Sequence, residues 1–232
     1  MLKKKLFLAL SLPLLALAAC TDFPKDAESN LKEVEAGRPL RVGWSDAGPW
    51  VRGQPGTEPA GVEPDLLRLW AASRGFRIEW TEASEAQLVE GLNENSLDVA
   101  LAGFTTSAPH GGMIGMTQPY LRPKIVIAMP PGTSAPEAWE GVPVSYDPRR
   151  PEFAGLLIRE KATPTTGPAP YRILYEPELG PAGLVATGKE LRTDQRTIAT
   201  GPSANALTLE LDRWLHANRA AIEARLAQEG RP

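Results

Sequence analysis

The chain has 232 residues, a formal net charge of −3 and 42% hydrophobic residues, a make-up suited to one large or two small globular domains. Acids and bases are interspersed, and no basic stripe marks a nucleic-acid surface. One cysteine excludes an internal disulfide framework and a cysteine-based metal site.

In chain order, Lys3-Lys4-Lys5, an apolar stretch to Ala16 and Leu17-Ala18-Ala19-Cys20 read as a secretory signal over residues 1–19. The apolar stretch is short for a membrane span. With Cys20 at the cleavage point, the segment resembles the lipobox of bacterial lipoproteins. That resemblance implies a lipidated Cys20 and an extracytoplasmic chain held at a membrane. Residues 20–37 are polar, lack strand patterning and read as a tether.

From Leu40 the pattern alternates. Residues 40–44 read as a strand and 46–61 as a Gly/Pro-rich loop. Residues 64–72 have helical spacing, with Pro64 in the first turn and Gly75 as the stop. Residues 76–80 read as a strand. Ser84-Glu85-Ala86-Gln87 has capping-box spacing and opens a helix. The apolar run 97–103 fits a strand covered on both faces. Residues 124–129 and 142–146 read as strands, 151–161 as a helix, 162–170 as a loop, and 171–175 and 195–200 as strands. Residues 204–228, with Leu207, Leu211, Leu215, Ile222 and Leu226 on one face, read as an amphipathic helix. Strand–helix alternation argues for a parallel α/β sheet. No internal repeat is visible.

Four pieces in order carry a family resemblance: Leu40-Arg41-Val42-Gly43, Gly61-Val62-Glu63-Pro64-Asp65-Leu66, Ser96-Leu97-Asp98-Val99-Ala100-Leu101-Ala102-Gly103, and Thr117-Gln118-Pro119-Tyr120. Together they resemble type II periplasmic binding proteins, specifically family 3 of the bacterial extracellular solute-binding proteins, whose polar amino-acid group serves ABC importers. The resemblance implies a two-lobed α/β fold. Lobe one would take residues 38–124 and 191–232, and lobe two residues 125–190, with crossings near 120–125 and 187–195. The second lobe reads as short, because the family's second-lobe strand with a ligand-binding acid after it is not recognisable.

A crevice between such lobes would draw on Trp44, Ser45, Asp46 and Trp50 from the first loop, and on Gly103, Thr105 and His110 after the apolar strand. Tyr146, Arg149 and Arg150 would come from the second lobe. Glu85 reads as a first-turn acid favoured by its helix dipole. Each tryptophan could instead pack the loop, Asp46 could cap a turn, and the arginines could be solvated or bind an anion at the following helix N-terminus. His110 stands where the family carries a ligand-binding arginine, and imidazole cannot supply a bidentate fork. The implied function is capture of a small polar solute for ABC permease subunits by a lipid-anchored monomer, without cofactor, metal or catalysis. The alternatives are an enzyme of the dehydratase type, or a sensor or scaffold lobe that has lost ligand binding.

Overall fold

The computed structural model describes residues 29–54, 56–109 and 112–222. The signal segment, Cys20 and the first part of the tether lie outside the described residues, as do His110 and residues beyond 222.

Residues 29–37 depart from the expected tether. Asn30–Glu35 forms a helix, α1, with Leu31 and Val34 buried in the main core. Its six residues are too few to show an apolar stripe in the sequence. The packed body therefore begins before residue 38.

The first sheet is built around β1 (Leu40–Trp44), paired in parallel with β2 (Ile78–Glu82) and β3 (Val99–Leu101). Helix α2 (Val62–Arg74) buries Leu66, Leu67, Trp70 and Ala71, and stops at Gly75, whose φ of 71° is the left-handed value a C-terminal glycine supplies freely. Helix α3 (Glu85–Asn93) starts on the expected capping box between Ser84 and Gln87. Asp98, fully buried, anchors the start of β3. Its carboxylate accepts from Arg38 Nη1 at 2.7 Å, Arg41 Nη2 at 2.8 Å and the Arg41 backbone N–H at 2.8 Å. Burial alone would push this carboxyl up, but the arginine hydrogen bonds hold it below its ordinary range.

Two further strands complete this sheet, β4 (Gly115–Met116) and β10 (Ala199–Thr200), in the order β2-β1-β3-β10-β4. The second sheet holds β5 (Lys124–Met129), β6 (Pro143–Ser145), β7 (Thr163–Thr165), β8 (Tyr171–Tyr175) and β9 (Val185–Thr193), in the order β7-β6-β8-β5-β9. The two orders match. Each sheet has three parallel strands, then an antiparallel strand, then an edge strand. The internal repetition is thus topological and leaves no trace in the sequence.

Within that shared plan the second lobe is abbreviated. Lobe one joins β2 to β3 through α3, whereas residues 166–170 alone join β7 to β8. Helix α4 (Glu152–Arg159) covers one face with Phe153, Leu156 and Leu157. On the other face Val126, Ala128 and Leu174 form a small cluster against which Leu179 and Leu184 pack. So small a core is marginal alone, and here it is not alone. Ile125, Ile127, Val144 and Ile173 belong to the same apolar cluster as the lobe-one residues Val42, Leu66 and Trp70. Trp50 from lobe one meets Tyr175 from lobe two edge to face at 5.2 Å.

The chain crosses between sheets twice, after Tyr120 and after Thr193. The crossings pair with each other: Tyr120 N–H donates to Arg196 O, Arg196 N–H to Leu121 O, and Asp194 N–H to Pro123 O, all at 2.9–3.0 Å. The second crossing thus begins at Asp194. Residues 187–193, expected in the crossing, are the end of edge strand β9. Helix α5 (Asn205–Ala217) buries Leu207, Leu211 and Leu215 as expected. It ends at Asn218, where the expected helix was continuous, and residues 219–222 are helical again with Ile222 buried.

Candidate functional site

A cavity of about 260 Å³ lies between the lobes, outside the carboxyl ends of β1, β3 and β8. Crevices in α/β proteins form where strands end and loops diverge. The volume falls just below the usual span of about 300–1,000 Å³ for ligand sites, so the crevice suits a small molecule. Lobe one supplies Ser45, Asp46 and Trp50 from the loop after β1, Glu85 from the start of α3, and Gly103 after β3. Arg149, Arg150 and Glu152 enter from the segment before and into α4, Tyr175 from the end of β8, and Arg196 from the return crossing.

The arginines are already engaged. Arg149 Nη2 pairs with Asp147 at 2.7 Å, and this contact holds the Asp147 carboxyl down at about 2. Arg150 grips Glu178 through both Nη atoms at 2.7 and 2.8 Å, and its Nε donates to Gly48 O at 3.1 Å across the crevice. Arg196 Nη2 pairs with Asp194 at 2.8 Å. Two further lining acids are Asp46, which lies in the field of Arg149, and Glu152, which lies in that of Tyr175. The crevice therefore carries negative charge from both lobes beside arginines that already pair with Asp147, Glu178 and Asp194.

Behind the wall is a buried carboxyl. Glu63, in the first turn of α2, is fully buried. It accepts from Tyr120 Oη at 2.8 Å and from the Gly103 N–H at 3.1 Å. Burial pushes its pKa up to about 7, against the pull of these two donors and of Arg196. Gly103 has φ of 62°, and a Cβ there would meet Trp50 Cδ1 at 3.0 Å and Arg196 Nη1 at 3.1 Å. Conformation and space both require glycine.

Of the expected ligand-facing residues, Ser45, Asp46, Trp50, Gly103, Arg149 and Arg150 line the crevice. Trp44 does not. It is 1% exposed, lies in the core beneath Gly53, and packs the loop. Thr105 points its Oγ1 at Ser107, 3.1 Å away, and is not on the crevice wall. Tyr146 packs half-buried against the core. Glu85, read as an exposed first-turn acid, also lines the crevice. Glu152, Tyr175 and Arg196 were not foreseen. In the second lobe β8 is followed by Glu176-Pro177-Glu178, and Glu178 is bound to Arg150.

The profile of the bacterial extracellular solute-binding proteins, family 3, matches residues 40–225. The chain belongs to this family. No curated protein matches the sequence. Among solved structures, an ancestral cationic amino acid solute-binding protein is 16% identical with a TM-score of 0.69, over 88% of this chain and 100% of that one. Substrate-binding domain 2 of GlnP from Lactococcus lactis, in an open conformation, is 15% identical with a TM-score of 0.63, over 83% and 95%. An arginine-specific periplasmic binding protein of Salmonella typhimurium is 16% identical with a TM-score of 0.57, over 83% and 98%. At these identities the likeness shows the two-lobed fold. No described helix of this family-3 protein is long and apolar enough to cross a membrane. Among the described residues no cluster of three or more His, Cys, Asp or Glu is placed to hold a metal ion.

Proposed function

We propose that this chain captures a small polar solute in its interlobe crevice and delivers it to ABC permease subunits, as an extracytoplasmic monomer tethered through lipidated Cys20. The crevice carries the reading, because both lobes contribute side chains to one small cavity. Asp46 and Glu152 face it from opposite lobes, while its arginines hold carboxylates of the protein. This balance favours a solute with a cationic group over one that needs a cation for its own carboxylate. The ancestral and Salmonella relatives, named for cationic amino acids and for arginine, support the positive group.

Binding without turnover is the better reading. The ancestral relative is also described as a precursor of cyclohexadienyl dehydratase. A dehydratase needs a proton donor at the substrate. The carboxyl with the strongly raised pKa, Glu63, does not line the crevice.

Mass spectrometry of solute retained by the purified protein, followed by calorimetric titration, tests the proposal. A retained small cation binding with micromolar affinity supports it. Ordinary neutral α-amino acids should bind more weakly than about 100 μM, since losing a charge-assisted carboxylate contact costs about 1.5–3 kcal/mol. Micromolar binding of a neutral amino acid would overturn this choice of ligand. Cys20→Ala should release the protein from the membrane fraction, and continued anchoring after signal cleavage would refute the tether.

A further inference from the structure

One cation at the crevice is held by partners from three separate parts of the protein. Arg196 sits on the return crossing, between the lobes, and is 7% exposed. Its guanidinium lies over the Trp50 ring at 4.7 Å and the Tyr175 ring at 5.1 Å. Nη1 donates to Gly103 O, and Nη2 donates to Tyr175 Oη and, at 2.8 Å, to Asp194. Tyr175 Oη in turn donates to Asp194 at 2.9 Å. Nε has no partner among the described residues, so the two Nη atoms hold the group.

These partners come from separate parts of the fold. Trp50 and Gly103 belong to lobe one, Tyr175 to lobe two, and Asp194 to the crossing. Two aromatic faces, a carboxylate, a phenol oxygen and a carbonyl form the set of contacts that recognises a planar cation. A ligand held this way would draw the lobes together. Here a side chain does it, and Arg150 adds a second link by donating to Gly48 O across the same gap.

We propose that Trp50, Tyr175, Asp194 and the Gly103 carbonyl form a guanidinium slot at the lobe junction, and that Arg196 fills it as a tethered ligand that latches the lobes closed. The free protein then rests with its lobes already together, and the adjoining cavity receives solute without large closure. The latch sets lobe position whichever solute the crevice takes.

Hydrogen-exchange mass spectrometry on the full chain tests this. Arg196→Ala should speed exchange in residues 45–52 and 171–178 by about tenfold or more, the factor expected from loss of one charge-assisted hydrogen bond. Protection in α2 and α5 should hold. Millimolar ethylguanidinium should refill the slot and restore slow exchange in the variant, whereas ethylammonium, with the charge but no planar fork, should not. Unchanged exchange in the variant, or equal rescue by both cations, would overturn the proposal. If Arg196→Ala loses protection throughout, Tyr175→Phe decides. That variant keeps the ring and loses the oxygen through which lobe two accepts from Arg196 and donates to Asp194. A rise confined to the same two segments supports the latch, and no rise overturns it. Solute retention by the wild-type chain reports on the proposed function separately, and its absence would leave this comparison unchanged.

Discussion

Replacing Glu63 by glutamine should alter the pH dependence of stability in a direction fixed by its surroundings. The carboxyl is fully buried, with an ordinary pKa of 4.5 raised to about 7 in the fold. Between these values the folded protein holds a proton that the unfolded chain releases. Stability from this group is therefore fully present below pH 4.5, declines as pH rises to 7, and is flat above. At about 1.4 kcal/mol per unit over roughly 2.5 units, the decline amounts to about 3 kcal/mol. The substituted amide would be neutral throughout. Its oxygen can accept from the Gly103 N–H, and its nitrogen can donate to Tyr120 Oη. The stability of Glu63→Gln relative to wild type should thus increase by about 3 kcal/mol from pH 4.5 to 7. That corresponds to about 1–3 M in urea midpoint at slopes of about 1–3 kcal/mol/M. Asp147, held at about 2, and Asp98, held below its ordinary value, act in the opposite sense. Their contributions are present above about 3.8 and fade only as pH falls further, so the chosen window separates them from Glu63. Urea unfolding followed by tryptophan fluorescence at four pH values is sufficient. A pH-independent difference between the two proteins would refute the argument, as would one that favours the variant more at pH 4.5 than at pH 7.

Substitutions at three positions test the frame around the site. Asp98→Ala should cost about 3 kcal/mol in chemical unfolding, since it strands Arg38 and Arg41, and Asp98→Asn should cost less; no measurable cost from Asp98→Ala would mean that this anchor contributes nothing. Gly43→Ala should cost about 1–3 kcal/mol, because the new methyl would lie 2.4 Å from Leu88 Cδ2 and 2.6 Å from Leu97 Cδ1. A silent Gly43→Ala would show that α3 packs on β1 differently. Leu211→Ala should lower stability by about 2–5 kcal/mol, as α5 is part of the main core; an unchanged urea midpoint would show α5 to be dispensable.

Elements with their own local signal were legible in the sequence. Strands β1, β5 and β8 have the expected bounds, and α3 begins at its capping box. Each combines a run of β-forming or periodic apolar residues with a marked boundary. Of the edge strands, β2 showed in the sequence, while β4, β7 and β9 did not. Strand β9 alternates only between exposed and half-buried positions, contains Gly188, Lys189, Glu190 and Arg192, and pairs with β5 through two register shifts. Such polar edges resist wrong pairing and for the same reason carry no hydrophobic pattern. Strand β7, three residues with a central proline, lies in residues 162–170 that read as a loop, for a similar reason.

The site was legible where loops follow strands and obscure where distant segments meet. Arg196 lies 93 residues from Gly103 and 21 from Tyr175, and no spacing rule connects such positions. One local sign was available. Asp194, Arg196 and Ile198 alternate in an extended segment and so share a face. All three are buried. An acid and an arginine on the same side as a core isoleucine must neutralise each other, because neither charge can enter a protein interior alone. That pairing fixes the arginine between the lobes, since its strand is the path by which the chain returns from one to the other. A residue that reads as surface charge is thereby positioned to control the opening of the crevice.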